Sequence, residues 1–280
     1  LFIKKSEKRT IDEVLVKGYH NFSKSYLKHY LEIKPNTIIS KQKITEISKA
    51  SNTLAFIKEI KPPEILFTKD STLLYLYFNK KQNNNFEGNI GFTSKEDGSV
   101  LLNGNIDLSL SNILDTGENI ELFWNSIGEE KQEFKISSET PYIFNTKFSP
   151  QIAFSIYKQD STFISTKFDS KLYYNINPKT SFALTYNFED SESLKPNISN
   201  NIETFNNYFV GLQFRYRIPK NNFLLHNRFE IAINPTLGKR KNKNKTSNQF
   251  KIETQLSYIW DLNSRNSIFI KNNIGYINSD

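Results

Sequence analysis

From Ser99 to Leu110 the side chains sort onto two faces with almost no exception. Val100, Leu102, Gly104, Ile106, Leu108 and Leu110 take one face; Ser99, Leu101, Asn103, Asn105, Asp107 and Ser109 take the other. A period of two is the mark of a β-strand whose two sides meet different surroundings. The pattern returns down the chain. Ile120, Leu122 and Trp124 oppose Glu121, Phe123 and Asn125, and Ile152, Phe154 and Ile156 oppose Ala153, Ser155 and Tyr157. The runs Phe182 to Phe188, Tyr208 to Ile218, Phe223 to Ile233, Phe250 to Trp260 and Ile268 to Tyr276 alternate in the same way. Eleven strands are expected after Phe86, several beyond the five or six residues common in soluble sheets. Polar turn segments such as Asp115-Thr116-Gly117, Asn177-Pro178 and Pro219-Lys220-Asn221-Asn222 separate them.

The second face carries Arg215, Arg217, Arg228, Glu230, Lys251 and Glu253, so a lumen or solvent must lie on that side. The apolar face is rich in rings, and the whole chain holds 23 Phe, 14 Tyr and 2 Trp although apolar residues are only 37% of it. Disordered chains are poor in aromatics, which excludes wholesale disorder. No stretch approaches eighteen apolar residues, so a helical membrane span is excluded. A transmembrane strand needs only about ten residues, half of them free to be polar. No helical pattern after Phe86 could cover so much aromatic surface. Rings gather near strand ends, at Trp124, Tyr142, Phe144, Tyr186, Phe188, Tyr216, Tyr258, Trp260 and Tyr276, as in interfacial girdles. In hydrocarbon, strands satisfy their backbones only as a closed barrel. An antiparallel transmembrane β-barrel is therefore expected over 86–280. Its odd strand count, with the chain stopping at Asp280, predicts a barrel that continues beyond this sequence; opening at Leu1 fits a fragment or a processed product.

Residues 11–82 carry a different signal. Val14 and Val16 begin a short strand ending at Gly18-Tyr19. Ser23 is the expected N-cap of a helix with Tyr26, Leu27, Tyr30 and Leu31 on its stripe, and Ser40 caps a second helix from Lys41 to about Leu54. Strands follow at Ala55 to Ile60, continuing to Phe67 after Pro62-Pro63, and at Thr72 to Phe78. The order β-α-α-β-β over about seventy residues is a small α+β module.

Val14-Leu15-Val16-Lys17-Gly18-Tyr19, then Leu27, Leu31 and Pro35-Asn36, resemble a POTRA domain, with Tyr19 where that family usually has Asn and Pro35-Asn36-Thr37 where a Gly commonly precedes the second helix. Residues 1–10 resemble the end of a preceding POTRA module. The run Phe86-Glu87-Gly88-Asn89-Ile90-Gly91-Phe92, followed by Gly104 to Leu114 and Gly117-Glu118, is similar to the first strands of an Omp85 (BamA/TamA-type) outer-membrane barrel. The resemblance implies about eleven of sixteen strands, with the family's Arg-Gly-Phe/Tyr loop motif absent from this sequence. The asparagine-rich style, 34 Asn in all, is similar to the Bacteroidota version of the family. It also implies a Gram-negative outer-membrane location with the POTRA domain in the periplasm.

The implied function is assembly of client β-barrels. The first strand (Phe86, Glu87, Gly88, Asn89, Ile90, Gly91, Phe92, Thr93 and Ser94) would be a lateral seam offering its edge to a client strand. The POTRA edge expected to meet clients is Ala55, Phe56, Ile57, Lys58, Glu59 and Ile60. Unfolded outer-membrane proteins, accessory periplasmic or outer-membrane lipoproteins, and outer-membrane lipid are the expected partners. A dedicated secretion pore of the two-partner type, a TamA-like translocation or lipid-transport factor, and a passive porin remain open; a plain pore has no need of the module.

No catalytic constellation, metal site or cofactor is expected. His20, His29 and His226 are scattered, and the absence of cysteine removes thiolate chemistry. Net charge is +8, and the strongest basic run, Lys239 to Lys245, fits a solvated loop near anionic head groups better than a nucleic-acid site.

Overall fold

A computed structural model describes residues 8–94, 97–160, 162–194, 204–220, 227–263 and 265–280. The strand expected at Leu1 to Arg9 and the segment Phe223 to His226 fall largely or wholly outside them. The elements of the first part are β1 (Glu13–Gly18), α1 (Lys24–Tyr30), α2 (Lys41–Ser51), β2 (Ile57–Phe67) and β3 (Thr72–Lys80). Both caps form as the sequence implies: Ser23 Oγ accepts from Tyr26 N at 3.1 Å, and Ser40 Oγ accepts from Lys43 N at 3.0 Å. The sheet order is β1-β3-β2, with β1 parallel and β2 antiparallel to β3. Val14, Val16, Phe22, Leu27, Leu31, Ile47, Leu74, Leu76 and Phe78 form one buried core between this sheet and the helices. Gly18 ends β1 at φ +88°, where a Cβ would also overlap the Phe78 carbonyl oxygen.

One strand differs from expectation. Ala55 and Phe56 lie in a turn, and β2 then runs unbroken through Pro62-Pro63 to Phe67. Its register against β3 shifts between Glu59 and Lys61 and again between Lys61 and Glu64. These irregularities let two residues that lack a ladder N–H stay in an edge strand.

The second part is one sheet of eleven strands: β4 (Asn85–Ser94), β5 (Val100–Ser111), β6 (Asn119–Ile127), β7 (Lys131–Glu139), β8 (Phe148–Gln159), β9 (Phe163–Asn175), β10 (Thr180–Ser193), β11 (Phe205–Pro219), β12 (Asn227–Asn242), β13 (Thr246–Asp261) and β14 (Ser267–Ser279). Each strand pairs antiparallel with its sequence neighbour. Among the described residues the sheet is open, with β4 and β14 as its edges. The basic run expected as a loop is instead the end of β12, and only residues 243–245 turn; alternation persists because the strand, not the charge, sets which side chains face out.

The sheet curls over its polar face. Tyr173 on β9 donates to Gln213 Oε1 on β11 at 3.0 Å, Thr185 on β10 donates to Asn234 Oδ1 on β12 at 3.1 Å, and Arg215 on β11 reaches Glu139 on β7 at 3.7 Å. Thr185, Tyr173 and Arg215 are buried on that concave side without any covering layer. The large apolar side chains stand on the convex side, in the open: Leu212 is 64% exposed and Leu184 56%. Loops 112–118 and 140–147 lie at the end that meets the small module; turns 128–130 and 243–245 lie at the other.

Candidate functional site, a free strand edge and a docked module

Among the described residues β4 pairs with β5 alone, in continuous register from Asn85↔Ser109 to Ser94↔Val100. All ten of its residues are exposed. Phe86, Gly88, Ile90, Phe92 and Ser94 share the convex face, and Glu87, Asn89, Gly91 and Thr93 the concave one, as the register with β5 fixes. The strand carries no Pro or Lys and no register shift, the features that ordinarily blunt an edge. Its far edge is thus a regular row of backbone donors and acceptors over ten residues.

The module's expected edge is different. Phe56 and Ile57 are buried in the module core, and Ala55 precedes the strand. Lys58, Glu59 and Ile60 remain on β2, which is an edge strand; Glu59 Oε1 accepts from Ser48 Oγ on α2 at 2.8 Å, and burial raises the Glu59 carboxyl pKa. Pro62 and Pro63, which have no N–H, interrupt the row of donors beyond Lys61.

The concave-face charges fall into two groups. Near the module end, Arg215 stacks 3.8 Å from the Tyr173 ring centre and faces Glu139, while Arg217 and Glu230 stand opposite each other in register. Further along, Lys251 pairs with Glu253 on its own strand at 3.1 Å. Arg228 is exposed at the start of β12. Glu139 and Tyr173 were not singled out from the sequence, because alternate polar positions on a long strand carry no sign of which will meet across the curve.

Sequence reasoning also missed the junction between module and sheet. Asn112 (φ +59°) and Asp115 (φ +61°) give the β5–β6 turn its tight form. Tyr19 donates a short hydrogen bond to Asp115, and Asn112 Nδ2 donates to the Tyr19 hydroxyl at 2.9 Å. Lys80 Nζ pairs with Asp115 at 2.6 Å, and Ser23 N donates to Asp115 O at 3.0 Å. Tyr19 is the residue that departs from the expected Asn, and the turn it grips accounts for a phenol there.

Glu118 closes the turn from inside. Its carboxylate accepts from Leu114 N at 2.7 Å, Thr116 N at 3.2 Å and Thr116 Oγ1 at 2.6 Å. Burial alone would raise its pKa, but these donors outweigh it and hold the carboxyl below its ordinary value. The Lys80 ammonium, helped by the Tyr19 hydroxyl, holds Asp115 low as well. Gly117 (φ +81°) lies against Tyr26, so that a Cβ there would overlap the ring. Tyr142, on the β7–β8 loop, meets Tyr26 edge-on at 5.3 Å and stacks on His29 at 5.1 Å; burial drives its pKa well up. A cavity of about 220 Å³ remains between module and sheet, lined by Tyr26, Tyr30, Glu139 and Arg217 among others.

No family model and no curated protein sequence matches this chain. Solved structures do. The crystal structure of BamA from Haemophilus ducreyi lacking POTRA domains 1–3 aligns with a TM-score of 0.56 at 13% identity, covering 98% of this chain and 56% of that one. The likeness is one of fold: the eleven-stranded antiparallel sheet matches part of that barrel. CdiB from Acinetobacter baumannii aligns nearly as well, with a TM-score of 0.55 at 11% identity over 97% of this chain and 53% of its own. The chain thus spans about half the length of either structure. Among the described residues β4 is the first strand of the eleven-stranded sheet and is paired on one side, by β5.

Proposed function

We propose that this chain is part of an outer-membrane barrel-assembly factor whose β4 edge accepts a client strand. The observation that carries the proposal is a ten-residue, unblunted edge on a sheet whose apolar face points outward. An outward apolar face is stable in lipid and costly in water. Outward residues from Phe250 to Trp260 on β13 span about 33 Å along the strand at ~3.3 Å per residue. Tilted about 40°, that becomes about 25 Å, the height of an outer-membrane apolar band.

In this reading the module at 11–82 is a POTRA domain on the periplasmic side, docked through Tyr19 and Tyr26. Unfolded barrel proteins are the clients, with periplasmic lipoproteins as accessory partners. The work is backbone hydrogen bonding: β-augmentation at residues 86–94 supplies a template, and no cofactor or bond-making step is invoked. Because β2 is interrupted by its prolines, client capture at the module would be confined to the short stretch Lys58 to Ile60.

A second reading has an observation of its own. The match to CdiB is nearly as good as that to BamA, and the concave wall is mostly polar, with Phe123, Phe209 and Ile259 among its exceptions, which suits passage of a dedicated secreted client. Depleting the full-length protein in its host and quantifying the outer-membrane proteome separates the two. Loss of many unrelated barrels supports assembly. Loss of one secreted protein with other barrels intact supports secretion, and an unchanged proteome overturns both.

A further inference from the structure

The convex apolar rows stop at one level, away from the module, and lysines replace them. On β12 the outward positions run Phe229, Ile231, Ile233, Pro235, Leu237 and then Lys239 and Lys241. Lys239 stands opposite Tyr208 on β11 and Asn248 on β13; Lys241 stands opposite Asn206 and Thr246. Both are exposed, and Lys243 and Lys245 carry the charge into the turn. Arg240 points to the other face, where it lies 3.7 Å from the Phe205 ring centre. Among the described residues Lys239, Lys241 and Lys243 have no ion-pair partner, and Lys245 Nζ donates to the Asp280 backbone oxygen at 2.7 Å. The nearest outward acids at this end, Asp190 and Glu192 on β10 and Asp280 after β14, lie two strands away from β12.

We propose that this lysine rim binds net-anionic, phosphate-bearing lipid head groups of the leaflet farther from the module. The inference rests on the membrane reading above. Lysines directly beyond lipid-facing Leu237 and level with Tyr208 sit at head-group depth, where an ammonium meets phosphate while its stem lies along the apolar rows. A nucleic-acid site would not need its charge continuous with an apolar band.

These 280 residues hold no cysteine, so single labels can be placed in them once any cysteine elsewhere in the protein is replaced by serine. The full-length protein would carry a fluorophore at Thr246→Cys, opposite Lys241, or at Ile268→Cys, on the outward face near the module end. It would be reconstituted in vesicles containing brominated phosphatidylglycerol or brominated phosphatidylcholine as quencher. We expect phosphatidylglycerol to be preferred about fivefold at Thr246, with no preference at Ile268. The preference should vanish in Lys239→Gln/Lys241→Gln/Lys243→Gln/Lys245→Gln, whose insertion is checked by unchanged quenching at Ile268. Equal quenching by both lipids at Thr246, or a preference that survives the four substitutions, overturns the proposal and leaves the membrane reading standing. Absence of quenching at both sites overturns the two together. Binding of labelled duplex DNA in detergent that the four substitutions abolish, without any lipid preference, would assign the rim to nucleic acid instead.

Discussion

The small module and the large sheet use the same residue types in opposite places. In the module Leu74, Leu76 and Phe78 are fully buried between sheet and helices. In the large sheet Leu184, Leu212 and Leu237 stand more than half exposed on the convex face, while Thr185 and Thr236 are buried on the concave one. One region is arranged for water outside and hydrocarbon inside, the other for the reverse. The same contrast holds at their edges. β2 carries prolines, lysines and register shifts, as an edge in water must; β4 carries none, which suits an edge that another strand covers, since lipid cannot satisfy free N–H and C=O groups.

The sharpest way to break the comparison is to truncate or charge one leucine from each region. Leu76→Ala should cost the module about 2–5 kcal/mol, because the cavity opens in a packed core. Leu212→Arg should cost the reconstituted sheet about 2–4 kcal/mol if this position lies at mid-bilayer. The same substitution at a site 64% exposed to water would be near neutral. Denaturant unfolding of the protein in lipid bilayers measures both. A neutral Leu212→Arg would remove the membrane from the account of the convex face.

The legible part of the fold follows from periodicity. Eleven alternating runs gave eleven strands, and Ser23 and Ser40 cap their helices as their chemistry requires. Less legible were features where local signals misstate the backbone. The charges at Lys239 to Lys241 suggested a loop, yet they extend a strand whose end leaves the apolar band. Pro62-Pro63 suggested a break, yet an edge strand absorbs it. The junction was illegible for another reason: Tyr19 lies 93 residues before Asn112 and 96 before Asp115, and nothing local announces that they meet. The seam could be proposed only through family resemblance, since a free edge and a paired one have the same alternation.

The junction gives the next two tests, which ask whether the two regions act as one body. Gly117→Ala sets a methyl against the Tyr26 ring at a left-handed φ, at a cost of about 1–3 kcal/mol. The expected outcome is undocking: a spin-label distance between Lys49→Cys on α2 and Asn177→Cys beside β9 should lengthen and broaden. Tyr19→Phe is milder. It leaves the Asn112 side-chain amide, which is buried, without its acceptor and frees Asp115 from one donor, for about 1–2 kcal/mol. An unchanged distance distribution in both variants would mean that the module rides on the sheet through other contacts.

The smallest expected effect is the pH limit of that docking. Asp115 and Glu118 have carboxyl pKa values below their ordinary values in the folded junction. A depressed acid contributes stability that is complete above its unfolded value, about 3.9 for Asp and 4.3 for Glu, and is lost as pH falls through the folded value. Docking should therefore be flat from about pH 5 to 8 and weaken only below about 4. Glu118 should carry most of the change, because it is buried with three donors, whereas the Lys80–Asp115 pair is partly open to solvent and correspondingly weak. Lys80 is raised by Asp115, so its own contribution is present below about 10 and fades only in stronger base. The spin-label distance followed against pH should show an acid transition that Glu118→Gln flattens and Asp115→Asn barely moves. If Glu118→Gln leaves the acid transition where it was, the turn's buried carboxylate is not what holds the module to the sheet, and the Tyr19–Asn112 and Ser23–Asp115 hydrogen bonds hold it together with the Tyr26–Tyr142 ring contact.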